Sequence, residues 1–119
     1  MPGLTPSEQL TVPAILRRAE MLSGGVEIVS RLADRSLHRY CYRDLIRRSR
    51  QLAVALTDLG MGPGDRVATL GWNHHQHLEA YFAGPSMGAI LHTLNVRQHP
   101  DELARVARHA GDRVVLVDA

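Results

Sequence analysis

The chain has 119 residues, 45% hydrophobic and 22% charged, which fits one small globular domain and is marginal for two. A formal net charge of +2 is mild and gives only weak evidence for nucleic acid or an anionic membrane as a partner, so no nucleic-acid partner is expected. No apolar run approaches the ~18 residues of a spanning helix, so no stable membrane insertion is expected, and MPGLTPSEQL has neither the basic start nor the apolar stretch of a signal peptide.

All fourteen basic residues are arginine. The absence of lysine excludes a phosphate-loop lysine, a Schiff-base lysine and any lysine clamp on a carboxylate. The single cysteine, Cys41, cannot form an internal disulfide and suits a reducing cytoplasm.

Residues 1–10 read as a flexible tail and residues 11–119 as the folded part. Thr11 is placed to cap a first helix, with Pro13 in its first turn. Val12, Ile15, Leu16, Ala19 and Leu22 follow helical spacing, and Gly24-Gly25 ends it. VEIVSRL and LHRYCY, separated by the turn signal ADRS, predict a β-hairpin. From Arg43 to Leu59 an apolar stripe of Leu45, Ser49, Leu52, Ala53, Leu56 and Leu59 predicts a second helix, with Gly60 as its C′ residue. Arg43, Arg47 and Arg50 fall on the opposite face, which reads as a solvated face rather than a DNA-reading one.

GMGPGD, residues 60–65, superficially resembles a dinucleotide fingerprint. A phosphate-binding glycine loop, however, follows a strand and opens a helix. Here the glycines follow a helix and precede the strand RVATLGW, so they read as a helix stop and a tight turn centred on Pro63-Gly64. Beyond it the pattern is strand, helix (about His75 to Met87), strand AILHTL, helix (Pro100 to Ala110) and strand RVVLVD. That order predicts βαβαβ with a parallel sheet and right-handed crossovers. Pro100 opens the last helix, Asp101 and Glu102 sit in its first turn, and Arg105, Arg108 and His109 occupy its end, as the helix dipole favours. Leu103, Val106, Ala107 and Ala110 form its sheet-facing side.

GWNHHQHLEAYF, residues 71–82, packs three histidines into four positions. On a helix whose buried face is Leu78, Tyr81, Phe82 and Pro85, His74 projects near that face while His75 and His77 lie on opposite flanks, roughly 160° apart. Three such ligands do not converge, and no histidine pair has the i, i+4 spacing of a helical zinc site. The stretch therefore reads as a helix N-terminus capped by Asn73. HTLNVRQH lies just past the C-terminal end of the second parallel strand, where ligands bind in open α/β sheets. His92, Asn95 and Arg97 are thus the candidate site residues. The competing reading is a loop tied by its own polar groups, with Asn95 bonding the turn. No catalytic constellation, serine triad or metal set is recognised.

Taken together, EIVSRLADRSLHRYCYRDL, LGMGPGDRVATLGWNHHQHLEAYFAGPSMGAILHTLN and HPDELARVARHAGDRVVLVD resemble the N-terminal part of AMP-forming acyl-CoA synthetases. The resemblance runs from about Leu10 to Ala119 and is nearest to the medium- and long-chain fatty acid–CoA ligases of the adenylate-forming superfamily. It implies an α/β fold: the incomplete start of the large ligase domain, with a helix and β-hairpin leading into a βαβαβ unit. It also implies ATP, magnesium and CoA as cofactors of a complete enzyme that makes acyl-CoA, AMP and pyrophosphate. The family's phosphate loop, adenylate contacts and C-terminal lysine have no matching residue here. No catalytic, cofactor or metal position is therefore carried over, and no cofactor is expected for this chain alone. Two readings follow: an inactive N-terminal fragment of the ligase, or an assembly module that pairs with a separately encoded remainder. The implied partner is a second copy or that remainder. The chain departs from its relatives' usual residues at Cys41, Gly84, Ser86 and Val96.

Overall fold

The computed structural model describes residues 9–118. The tail expected over residues 1–10 thus lies almost wholly outside the described residues. Helix α1 (Val12–Ser23) begins as its sequence requires: Thr11 is extended and its hydroxyl oxygen accepts from the Ala14 N–H at 3.3 Å. Of its apolar stripe only Leu16 is buried, whereas Ile15 and Leu22 are more than half exposed. Strands β1 (Glu27–Arg31) and β2 (Leu37–Cys41) pair antiparallel, Glu27 opposite Cys41 and Arg31 opposite Leu37. Their turn is held by Asp34, whose Oδ1 accepts from the Ser36 amide and hydroxyl at 2.9 and 2.6 Å.

Helix α2 (Tyr42–Asp58) starts one residue before the expected Arg43, because the extended Cys41 serves as N-cap and Asp44 reaches back to its N–H. Leu45, Ile46, Ser49 and Leu56 are buried. Ile46 was missing from the expected stripe and Leu59 was wrongly in it. The helix packs on α1, α3 and β2 together, which widens its apolar face, while Leu59 sits past the helix as its C-cap, 67% exposed. Arg43, Arg47 and Arg50 are exposed as expected.

The helix stop is a Schellman motif. Gly60, at φ 83°, donates to the Thr57 carbonyl and Met61 donates to the Leu56 carbonyl. Leu56 and Met61 then meet in the core with Val67 and Ala89. Asp65 donates to the Gly62 carbonyl around Pro63-Gly64, with Gly64 at φ 82°, the geometry of a glycine-requiring tight turn.

Strands β3 (Arg66–Leu70), β4 (Ile90–Thr93) and β5 (Asp112–Val117) form a parallel sheet in the order β4-β3-β5, joined by α3 (His75–Ser86) and α4 (Pro100–Ala110). Each strand is a residue or two shorter or shifted relative to its sequence run. One face of β3 carries Val67 into the core with Leu56, Met61 and Ala89, with Val114 and Leu116 of β5 packed against them. Helix α4 lays Leu103, Val106, Ala107 and Ala110 half-buried, and none of its residues is fully buried. Gly111 closes it in the left-handed conformation, φ 73°.

Helix α3 corrects two expectations. Its N-cap is His74, whose Nδ1 accepts from the Gln76 N–H at 3.2 Å, and not Asn73, which is exposed. Its buried residues are His75, Glu79, Ala80, Ala83 and Gly84 rather than Leu78, Tyr81, Phe82 and Pro85, and Tyr81 is 47% exposed. The reason is close packing of α3 against α2. The packed side of α3 also carries Ala80 and Ala83, with Gly84 set against β4, while Leu78, Phe82 and Pro85 are half-buried. A Cβ at Gly84 would meet only Leu91, at 3.9 Å.

Because Gly60 must hold φ 83°, Gly60→Ala should cost about 1–2 kcal/mol, the usual penalty for a side chain in the left-handed region. Urea unfolding of the two proteins measures it.

Candidate functional site

A solvent-open cleft of about 1270 Å³ lies between the hairpin turn, α2, the first turns of α3 and the C-terminal ends of β3 and β5. Because β4 lies on one side of β3 and β5 on the other, the cleft opens where the connection reverses direction, the usual place for a site in an open parallel sheet. Its walls include Arg31, Arg48, Thr69, Trp72, His77 and Asp118.

The cleft's floor is a hydrogen-bonded network. Asp118, just past β5, accepts from the Trp72 amide at 2.7 Å through Oδ2 and meets His74 Nε2 at 2.7 Å through Oδ1. His74 Nδ1 accepts from the helix, so Nε2 carries the proton and donates to Asp118. Burial alone would raise the Asp118 carboxyl, but the hydrogen bonds from Trp72 and His74 outweigh it and hold the group below the ordinary carboxylate range. His77 lies between the Trp72 carbonyl, 3.2 Å from Nδ1, and the Thr69 hydroxyl, 2.9 Å from Nε2. A carbonyl only accepts, so Nδ1 is protonated and the Thr69 hydroxyl donates to Nε2. Every ring nitrogen of His74 and His77 is thus occupied.

Deeper in the wall, Glu79 keeps only 6% of its side chain exposed and accepts from Arg48 Nε at 2.6 Å. Arg48 projects from α2 and Glu79 from α3, so the pair clips the two helices together. His75 turns away from the cleft and stacks on His38 of β2, ring centroids 3.7 Å apart. The three histidines therefore do three separate jobs: cap and strand tie, stack, and loop tie. Among the described residues, no three His, Cys, Asp or Glu side chains gather where they could hold a metal ion.

The candidates His92, Asn95 and Arg97 are not brought together, and none lines the cleft. His92 Nδ1 meets the Asp112 carboxylate at 2.8 Å across the central strand, with the Asp112 side chain 1% exposed. Asn95 Oδ1 accepts from the Arg97 amide at 3.0 Å, the turn-tying bond that its residue type favours. Arg97 is exposed. Sequence reasoning missed Asp118, Thr69, Trp72, Arg48 and Glu79. The pairing of Glu79 with Arg48 and of Asp118 with His74 spans 31 and 44 residues, so no local signal could have found either.

The donor set does not suit a nucleotide triphosphate. Arg48 is committed to Glu79, Asp118 adds negative charge, and among the described residues no glycine-rich turn presents its amides to the cleft from the start of a helix. Phosphate binding needs several cations or free amides aimed at one point. The geometry supports positioning of α3 and the hairpin, and no step of phosphate chemistry follows from it.

A three-stranded parallel sheet of order β4-β3-β5, preceded by a helix and a hairpin, makes this an α/β fold. The chain belongs to the AMP-binding enzyme family, whose model matches residues 17–119. It is 50% identical over 117 residues to a long-chain-fatty-acid–CoA ligase of Thermus thermophilus, covering 98% of this chain and 22% of that protein. It is 36% identical to a medium-chain-fatty-acid–CoA ligase of Ectopseudomonas oleovorans, covering 99% of this chain and 22% of that protein. Among solved structures, a Rhodopseudomonas palustris protein described as a putative long-chain-fatty-acid CoA ligase matches with a TM-score of 0.77 at 31% identity, covering 92% of this chain and 27% of that one. A Mycobacterium tuberculosis fatty acyl CoA synthetase matches in fold with a TM-score of 0.81 at 23% identity, over 90% of this chain and 21% of that one. The chain thus spans about a fifth of the length of these curated relatives.

Three substitutions probe the cleft wall. A Cβ at Gly71 would lie 2.8 Å from Asp118 Oδ1. Gly71→Ala should displace that carboxylate, cost about 1–3 kcal/mol as overpacking does, and return the Asp118 carboxyl toward its ordinary value in an NMR titration. Removing the Arg48 side chain leaves the Glu79 carboxylate buried and unpaired. Arg48→Ala should therefore cost about 1–3 kcal/mol in urea unfolding, with Glu79→Gln costing less because the amide still accepts from Arg48.

Proposed function

We propose that these residues form the opening segment of the large domain of an AMP-forming fatty acid–CoA ligase. The whole enzyme would convert fatty acid, ATP and CoA into acyl-CoA, AMP and pyrophosphate with magnesium. The observation that carries the proposal is the 50% identity to the Thermus thermophilus long-chain ligase along 98% of this chain. Within such an enzyme the segment's role is scaffold. It sets the first parallel strands, packs the hairpin and α2 against α3, and supplies one wall of a cleft at the strand ends. Its partner is the remainder of the ligase or a second copy, and the single unpaired Cys41 favours the cytoplasm as its setting. Among the described residues, no helix is long and apolar enough to cross a membrane.

The segment by itself is inert in this reading, because its cleft holds no cluster of free cations to stabilise charge on a transferring phosphate. The pure 119-residue chain should show no fatty-acid-dependent ATP–pyrophosphate exchange above a blank. Exchange that needs both fatty acid and this chain would overturn the reading.

A second reading, an assembly module that pairs with a separately encoded remainder, draws on the apolar side chains left open on the edge strand β5, where Val115 and Val117 are 42% and 63% exposed. An antibody to this segment separates the two in the source cell. A band several times larger than 13.2 kDa supports the continuous ligase, and a band at that mass supports the module.

A further inference from the structure

His38 and Tyr40 point from β2 toward α3, where His75 is the first helical residue. The His38 and His75 rings lie face to face, centroids 3.7 Å apart and 17° from parallel, and Tyr40 meets both edge-on at 5.1 and 5.8 Å. His75 is 8% exposed. His38 Nε2, His75 Nδ1 and the Tyr40 hydroxyl are buried with no hydrogen-bond partner. Three orphaned polar atoms in one contact demand an explanation, since buried polar groups are almost always paired. A metal ion does not supply one: near-parallel stacked rings aim their lone pairs side by side in two separate planes, and these do not converge on one ion.

We propose that the His38–His75 stack is a pH-sensitive clasp: with both rings neutral it holds the hairpin against the first turn of α3, and uptake of one proton by the stack releases the hairpin. Two imidazoles at van der Waals contact tolerate one another when neutral, while a cation there is buried, unpaired and set at the positive end of a helix. The charged surroundings act in the same direction with one exception. His38 from β2, His74 from α3 and Arg48 from α2 oppose a proton on His75, and Glu79, one turn along α3, favours it. Glu79 is already committed to Arg48 at 2.6 Å. Asp44 of α2 is turned to Cys41 and Arg47. On the other elements packed against α3, Glu20 of α1 is paired with Arg50 and Glu27 of β1 with Arg39. Burial first, then His38, lowers His75 below the ordinary histidine value of 6.5. A lowered histidine binds its proton more readily once the hairpin is open, so the closed state is fully stable above about pH 6.5 and loses stability as the pH falls below it. Arg31, Leu32 and Ala33 of the hairpin line the cleft, so release would open one wall of it.

Hydrogen-exchange mass spectrometry on the native polypeptide, at whatever length the cell makes it, tests the clasp. After correction for intrinsic exchange rates, peptides spanning β1 and β2 should lose at least tenfold protection between pH 7.5 and 5.0, while peptides of β3 hold theirs. His75→Phe keeps a stacked ring and should abolish the pH dependence. Hairpin protection that stays flat in the unaltered protein, or falls equally in His75→Phe, would overturn the proposal. Because that variant could fail to fold, exchange of the imidazole C2 hydrogens is followed in the unaltered protein as well. A His75 midpoint below 6.5 supports the clasp, and one at or above it defeats the idea.

Discussion

The two hydrogen bonds that Asp118 accepts, from the Trp72 amide and the His74 ring, decide where α3 begins. Asp118 stands at the end of β5, and Trp72 and His74 stand in the link between β3 and α3. One carboxylate therefore joins the end of the last strand to the start of the helix that crosses to another. Gly71 lies against the same carboxylate, so closely that any side chain would collide with it. With the first turn of α3 fixed there, His75 is delivered to the hairpin, Glu79 to Arg48 and His77 to Thr69. The cleft follows from that placement.

The Arg48–Glu79 pair shows how such a helix tolerates a buried charge. Taking a carboxylate out of water costs several kcal/mol unless it is well paired, and Glu79 is almost fully buried. Arg48 supplies a short charge-assisted bond while its own outer atoms remain partly in solvent, so only one of the two ions loses most of its hydration. Tyr40 senses the same carboxylate: burial, reinforced by Glu79, pushes its hydroxyl up to about 12. The phenol therefore stays protonated at any physiological pH and adds no charge to the packing of the hairpin on α3.

Much of this architecture was legible in the sequence because it is encoded locally. Thr11 before an apolar repeat, Gly60 after one, Pro63-Gly64 in a turn and Pro100 with Asp101 and Glu102 at a helix start are short-range signals, and each sits where the sequence put it. The order of strands and helices beyond Arg66 follows the alternation of apolar runs. What failed was the facing of α3. Periodicity ranks large apolar residues as buried, but here the packed side of α3 carries Ala80, Ala83 and Gly84, with Gly84 against Leu91 of β4, and Tyr81 is turned outward. The capping residue failed for a related reason. Asn73 is the better cap by propensity, yet the tie to Asp118 turns the His74 ring into a position where it also caps the helix. The cleft was illegible because its polar contacts join residues tens of positions apart. Sequence position drew attention to His92, Asn95 and Arg97 past β4, whereas the sheet order opens its crevice past β3 and β5.

The sheet leaves large apolar side chains exposed on its two edge strands. A strand with both faces covered reads as a continuous apolar run, and a half-covered one alternates. Strand β5, DRVVLV, is an apolar run that nonetheless alternates in burial: Val114 and Leu116 face the core, and Val115 and Val117 face outward. Its composition is that of a strand meant for two covered faces. Helix α4 packs on β5 with none of its residues fully buried, so the cover it provides is partial. Strand β4 repeats the mismatch, with Ile90 46% exposed on the same face as the half-buried His92. Outward apolar side chains on two edge strands are costly in water and prone to unwanted pairing. Burial of Val115, Val117 and Ile90 under a further layer would remove that cost.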